Sequence, residues 1–326
     1  MKFHHITSIG LSALLVSACS GKDGGEYEED AIVAVKEIVA ADIANLESAA
    51  SGIQDAAPDA AWSSNDSSSI SDMKDSWADA RTAYERVEGA IAVLFPDLDA
   101  STDERYDGFI AEGADDNLFD GEGVTGVHGI ERILWADAHP DGVVAFESGL
   151  PNYTEAAWPA TDDEADEFKS GLVQRLIDDA AQMGSDFEPL ALDAAAAYEG
   201  VVGSMAEQVE KIALAESGEA ESRYAGNTLQ DMRDNLQGGR EIYGAFSDWV
   251  KSEEGGEDID AAIQADFDLI QAKYDEYSGS ALPEVGSDDY NDILELLETE
   301  SDPENADSLV THMVEAAALI GIEVAL

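Results

Sequence analysis

The chain has 326 residues, of which 72 are Asp or Glu and only 16 Lys or Arg, for a formal charge of −56. Phosphate backbones would be repelled by such a protein, so nucleic acid is excluded as a partner. A single cysteine excludes an internal disulfide and a thiolate metal site, and five histidines leave few imidazoles for a site of any kind. The acids are spread along the whole chain, which suits a solvated surface in a salty habitat better than a field focused on one spot.

Residues 1–19, MKFHHITSIGLSALLVSAC, read as an export signal. Lys2 precedes an apolar run, Ile9 to Val16, that is too short to span a bilayer as a helix. Val16-Ser17-Ala18-Cys19 has the form of a lipobox, which predicts cleavage before Cys19 and lipid attachment there. The protein is therefore expected outside the cytoplasm, periplasmic or on the cell surface, and held to a membrane through Cys19 alone. Residues 20–30, SGKDGGEYEED, are Gly-rich and acidic and predict a flexible tether.

From residue 31 to residue 326 the pattern is all-α. Apolar residues recur at three- and four-residue spacing over 31–56, 70–94, 125–137, 164–183, 189–216, 226–251, 258–277, 288–299 and 305–323. Long alternating runs of β-branched residues are missing. Turn-rich breaks fall at 57–69, 95–123 and 138–163, and the last divides an N-lobe (about 31–150) from a C-lobe (about 160–326), each a helical bundle. A monomer is expected.

The sharpest local signal is GVTGVHGIERILW, Gly123 to Trp135. On a helix His128 and Glu131 share one face and their side chains can chelate one ion. Val127, Ile130 and Leu134 form an apolar stripe, and His128, Glu131 and Trp135 a second inward-looking one. Gly126 and Gly129 bracket the histidine and permit close backbone approach. Two further pairs precede it: Glu85 and Glu88, three apart, and Asp103 and Asp107, four apart. Convergence of such pairs within a bundle makes a carboxylate-rich metal site; without it, each acid is a solvated face and His128 a hydrogen-bonded core residue.

The segment from Trp77 to Trp135 carries AR-x-x-YE, LFPDLD, D-x-R-x-D and G-x-H-x-x-E-x-x-L-W, and Glu221 to Gly239 reads ESRYAGNTLQDMRDNLQGG. Together these blocks resemble the imelysin family, and within it the iron-uptake proteins of the EfeO and EfeM type. The resemblance runs from about residue 31 to the C-terminus. With no cupredoxin-like domain ahead of it, the shorter EfeM-type arrangement is the expected one. The resemblance implies an imelysin-like all-α fold of two lobes with metal bound near the His-x-x-Glu helix. Position by position, His128 and Glu131 match the signature, Glu85 the glutamate of YE, and Asp107 the second acid of D-x-R-x-D. Glu88 and Asp103 stand beside these, Glu221 is the acid a second lobe would contribute, and Arg105 would balance charge among them. Two departures are visible: Val127 stands where the family often has an aromatic residue, and Gly226-Asn227-Thr228 replaces a Ser-His-Thr-like stretch.

Three functions compete. The first is an iron-binding lipoprotein that passes Fe2+ or Fe3+ to an inner-membrane permease, its site also suited to zinc or manganese. The second is a metallopeptidase, the activity for which the imelysin family was named. Zinc peptidases of comparable spacing use two histidines on one helix, and here positions 129 and 132 are Gly and Arg. The third is a surface interaction lipoprotein without metal. The first is the expected function, in a non-catalytic role.

Overall fold

The computed structural model describes residues 22–324; the expected export signal and Cys19 lie outside the described residues. All regular structure among them is helical, as the periodicity predicts, and no strand occurs there. No described helix is long and apolar enough to cross a membrane.

Helix α1 runs Gly24–Ala56, so the tether expected over 20–30 is already helix from residue 24. The reason is local: the Asp23 side chain accepts from the Glu26 amide while Glu26 accepts from the Asp23 amide, a capping box that starts the helix early. The stripe Ala31, Val35, Val39, Ile43, Leu46, Ala50 and Ile53 then buries one face.

The helix predicted over 70–94 is two, α2 (Ser67–Glu85) and α3 (Glu88–Leu94). They part at Arg86 and Val87, where a later helix presses in: a Cβ on Gly238 would lie 2.1 Å from the Arg86 carbonyl oxygen. The break expected at 95–123 holds two short helices, α4 (Pro96–Asp103) and α5 (Tyr106–Glu112). Pro96 pre-sets the first turn of α4, and Asp97 and Asp99 meet its positive end. Next come α6 (Gly126–Leu134) and, inside the expected connection, α7 (Asp141–Glu147). A π-turn over 168–173 joins α8 (Asp162–Glu167) to α9 (Gln174–Phe187). The remainder is α10 (Ala194–Ala213), α11 (Thr228–Ser252), α12 (Gly256–Asp275), α13 (Asp288–Glu300) and α14 (Leu309–Leu319).

Helix α1 packs along α2, α9 and α11, thereby touching elements on both sides of the expected lobe boundary. Helix α11 packs in turn on α2, α10 and α12, and one contiguous apolar core reaches from Ala31 to Ile322. Helix α6 is the innermost element. Every residue from Gly126 to Leu134 is buried, wedged among α2, α4 and the π-turn. Trp77 of α2 fixes its height by donating from the indole nitrogen to the Val127 carbonyl at 2.9 Å.

The start of α6 also sets its distance from α4. Gly126 has φ of 74°, and a Cβ there would lie 2.2 Å from the Thr102 carbonyl oxygen. Backbone conformation and space both require glycine. Gly126→Ala is therefore expected to destabilise the fold by about 2–4 kcal/mol, measured by chemical denaturation, because α4 and α6 must separate.

Candidate metal centre

Three polar residues lie inside α6, and each needs a partner because burial strips away water. His128 is 1 % exposed, Glu131 0 % and Arg132 1 %. Arg132 turns away from the histidine. It donates to Glu147 at 3.2 Å and to the Thr154 carbonyl, and its guanidinium stacks 3.8 Å from the Tyr106 ring centre.

Glu131 is satisfied on both oxygens. Oε1 accepts from the backbone amides of Tyr224 and Ala225 at 2.9 and 2.8 Å, and Oε2 lies 2.9 Å from His128 Nδ1. A carboxylate in that position requires the proton on Nδ1, which leaves the lone pair on Nε2. His128 Nε2 is itself buried and has no hydrogen-bond partner. It faces Asp103 Oδ1 at 3.4 Å, and ligand atoms of Asp103, His128 and Glu221 all lie within 4.8 Å of one another. A lone pair pointing at a carboxylate oxygen is repulsive unless a proton or a cation stands between them. Two donors each about 2.1 Å from a shared ion would sit roughly 3.0–3.5 Å apart, close to the spacing seen.

Each member arrives on a different element: Asp103 at the C-terminal end of α4, His128 in α6, and Glu221 on the turn-rich stretch between α10 and α11. That stretch is used residue by residue. Glu221 enters the site, Arg223 pairs with Asp107 at 2.5 Å, the Tyr224 amide holds Glu131, and its hydroxyl donates to Glu147. The ESRY motif thus ties the site to both α5 and α7.

The other expected ligands are held elsewhere. Glu131 stands behind the imidazole, with Oε2 on His128 Nδ1 and Oε1 on two backbone amides. Asp107 is taken by Arg223, Glu85 by Arg81 and Lys211, and Glu88 by Lys211 and Asn235. Charge balance falls mainly to two residues that the sequence reading passed over. Arg81 is fully buried against Glu85, Asp103, Glu221 and Asp231, and Lys211 is buried against Glu85, Glu88 and Glu221. Arg105 lines the rim instead, with Asp99, Ala100, Asp103, Glu104 and Glu221 around a cavity of about 230 Å3. Asp231, inside the L-x-D part of the second sequence block, is the missed acid. The signal was available, since Arg81 precedes Glu85 by one helical turn and bases are scarce in this chain.

Electrostatics divide the acids. Burial raises Asp103 to about 6 against the pull of Arg81, and Asp231 likewise to about 6. Burial pushes Glu221 upward too, but Lys211, Arg81, His128 and Arg105 overrule it and hold the carboxyl far below its ordinary range. Burial and Arg81 keep His128 below its usual value and therefore neutral, the state a ligand needs. The remaining described histidines are engaged: His139 stacks on Tyr224 and faces the Arg132 carbonyl, and His312 pairs with Asp266.

The imelysin (peptidase M75) family model matches residues 36–320. Among curated proteins the chain is similar to the iron uptake system component EfeO of Yersinia pseudotuberculosis, 29% identical over 202 residues. It is also similar to proteins of the same name from Escherichia coli K12 and Shigella flexneri, each 28% identical over 208 residues. The matched part is 61% of this chain for the first and 63% for the others, and it spans only 43% and 45% of the relatives' own lengths.

Glu131→Gln is expected to weaken cation binding by about 10–100-fold, because an amide NH2 facing Nδ1 favours the other tautomer. Nitrogen-15 shifts of His128 check this, with the proton moving from Nδ1 to Nε2 in the variant.

Proposed function

This chain belongs to the imelysin family, and from that premise we propose that it is an iron-binding component of an iron-uptake system. The carrying observation is the buried, partnerless His128 Nε2, aimed at Asp103 and Glu221 by a glutamate whose other oxygen is anchored on two backbone amides. In this reading His128, Asp103 and Glu221 hold the ion and Glu131 positions the imidazole. One imidazole with carboxylates suits Fe2+ or Fe3+, and would accept zinc or manganese; copper(I) prefers the thiolates this site lacks. The printed name of the EfeO relatives supports iron among these ions.

A carrier must also release its cargo, and oxygen ligands that already share protons and ion pairs exchange readily. The acidic rim favours a hydrated or weakly complexed cation over an anionic chelate, since Asp99, Asp103, Glu104 and Glu221 line the cavity mouth. We place the protein outside the inner membrane, tethered through Cys19, where it would pass the ion to a permease. That part rests on the export signal and lipobox alone.

The test is anaerobic titration of the protein with Fe2+, beside Zn2+ and Fe3+-citrate, with His128→Ala as control. One tight Fe2+ site lost in the variant is the expected result. Equal binding by both proteins would mean that surface acids collect the metal and that His128 is a core residue. Peptide hydrolysis by the loaded protein would move the family's peptidase activity to the front.

The pH response follows from Asp103. A cation must displace a proton that this carboxyl holds up to about 6, whereas neutral His128 needs none removed. Affinity is therefore expected to be flat above pH 6 and to fall by about tenfold per unit below it if one proton is displaced. Titrations at pH 5, 6, 7 and 8 check both the sign and the break point.

A further inference from the structure

Arg81 is fully buried and spreads its guanidinium over four carboxylates. Nη1 donates to Asp103 Oδ1; Nη2 donates to Glu85 and, at 3.1 Å, to Glu221 Oε1; Nε lies 3.5 Å from Asp231 Oδ1. Two of these acids, Asp103 and Glu221, converge with His128 on the candidate centre, and two do not. The overlap reaches single atoms: Asp103 Oδ1 accepts from Arg81 and is also the oxygen facing His128 Nε2. A cation that takes this oxygen meets a guanidinium already on it, and like charges a few ångströms apart in a dry interior repel strongly.

The far side of the guanidinium is under-used. Arg81 Nε and Asp231 Oδ2 are both buried and both lack a hydrogen-bond partner. Buried polar atoms are ordinarily paired, and here an orphan donor and an orphan acceptor belong to neighbouring side chains, with the Ser222 hydroxyl also beside Asp231. Asp231 is 0 % exposed and its Oδ1 already lies 3.5 Å from Arg81 Nε, while Nη2 holds Glu85. The charge count leaves room for the exchange: Arg81 and Lys211 stand against Glu85, Glu88, Asp103, Glu221 and Asp231, so the cluster has more carboxyls than its own cations neutralise.

Resting on the cation-binding reading above, we propose that Arg81 is an exchangeable counter-ion of the site. An incoming cation displaces the guanidinium from Asp103 and Glu221, and the guanidinium moves onto Asp231 while keeping Glu85. Arg81 is thus a positioning residue. It bridges the two ligand carboxylates before loading and offsets their mutual repulsion, and its departure is the conformational cost of loading. Release is the same step reversed, with the guanidinium competing the ion off.

The first measurement uses the wild-type protein and diamagnetic Zn2+. The Arg81 Nε–H resonance is expected to shift downfield on loading, as that proton gains a carboxylate acceptor. Isothermal titration with Zn2+ and anaerobic Fe2+ then follows for Arg81→Gln, Asp231→Asn and the double variant. Binding should tighten by about tenfold in Arg81→Gln and weaken by a similar factor in Asp231→Asn. The Asp231→Asn effect should vanish when Arg81 is already Gln, whereas a plain field effect of the lost charge would persist there. If Arg81→Gln does not fold, the wild-type resonance and Asp231→Asn still decide. Zn2+ binding with an unmoved Nε–H, or a persistent Asp231→Asn effect, overturns the exchange alone. No Zn2+ or Fe2+ binding by wild type, or equal binding by His128→Ala, overturns the cation-binding reading and the exchange with it.

Discussion

The constraint on which the structure hangs is the neutralisation of buried carboxylates by two cations, Arg81 and Lys211. Through them α2, α4, α10, α11 and the stretch before α11 meet at one point, each contributing an acid or a base. Such a cluster adds little net stability over a well-packed apolar core, since desolvation offsets most of the attraction. Removing one member is another matter, because an uncompensated buried charge costs about 3–5 kcal/mol. The cluster therefore acts as a specification: the helices can pack in many ways by shape, but in few that bring these carboxylates onto Arg81 and Lys211. Apolar contacts supply the driving force, and the ion pairs select the arrangement.

Around that point the polar interior is layered by purpose. Glu131 spends both oxygens on holding the imidazole and two backbone amides, and Arg132 and Glu147 brace the other side of α6. Within α6 it is at His128 Nε2 that the satisfaction of buried side chains stops. An unclosed lone pair that faces two carboxylates is what a candidate binding centre has and a satisfied core histidine lacks.

Much of this was legible in the sequence, and the rest was not for identifiable reasons. Apolar spacing gave the long helices because their stripes are wide and regular. It missed α4, α5 and α7, which are too short for a period to show, and it missed the first turns of α1, whose capping box lies in a stretch read by its glycines. The His128–Glu131 pair was visible, but spacing on a helix says only that two side chains are neighbours; which of them turns toward Asp103 depends on amides 93 and 94 residues away. Acids were a poor guide among 72 of them. The rare residues were the better one: Arg81, Arg132, Lys211 and Arg223, a quarter of the 16 bases, are all buried and all mark junctions of the polar interior.

The buried ion pairs have a consequence for how this protein relates to its medium. Its exterior is a polyelectrolyte that must borrow counter-ions from solution, so its self-repulsion rises whenever those ions are diluted. The interior brings cations of its own. Arg81 and Lys211 are covalently attached and present at fixed local concentration, Arg81 fully enclosed and Lys211 buried at the wall of a cavity. A change in ionic strength therefore acts mainly on the shell and much less on the buried pairs, and the two can vary independently: the shell with the surrounding water, the buried pairs with the helix packing they direct.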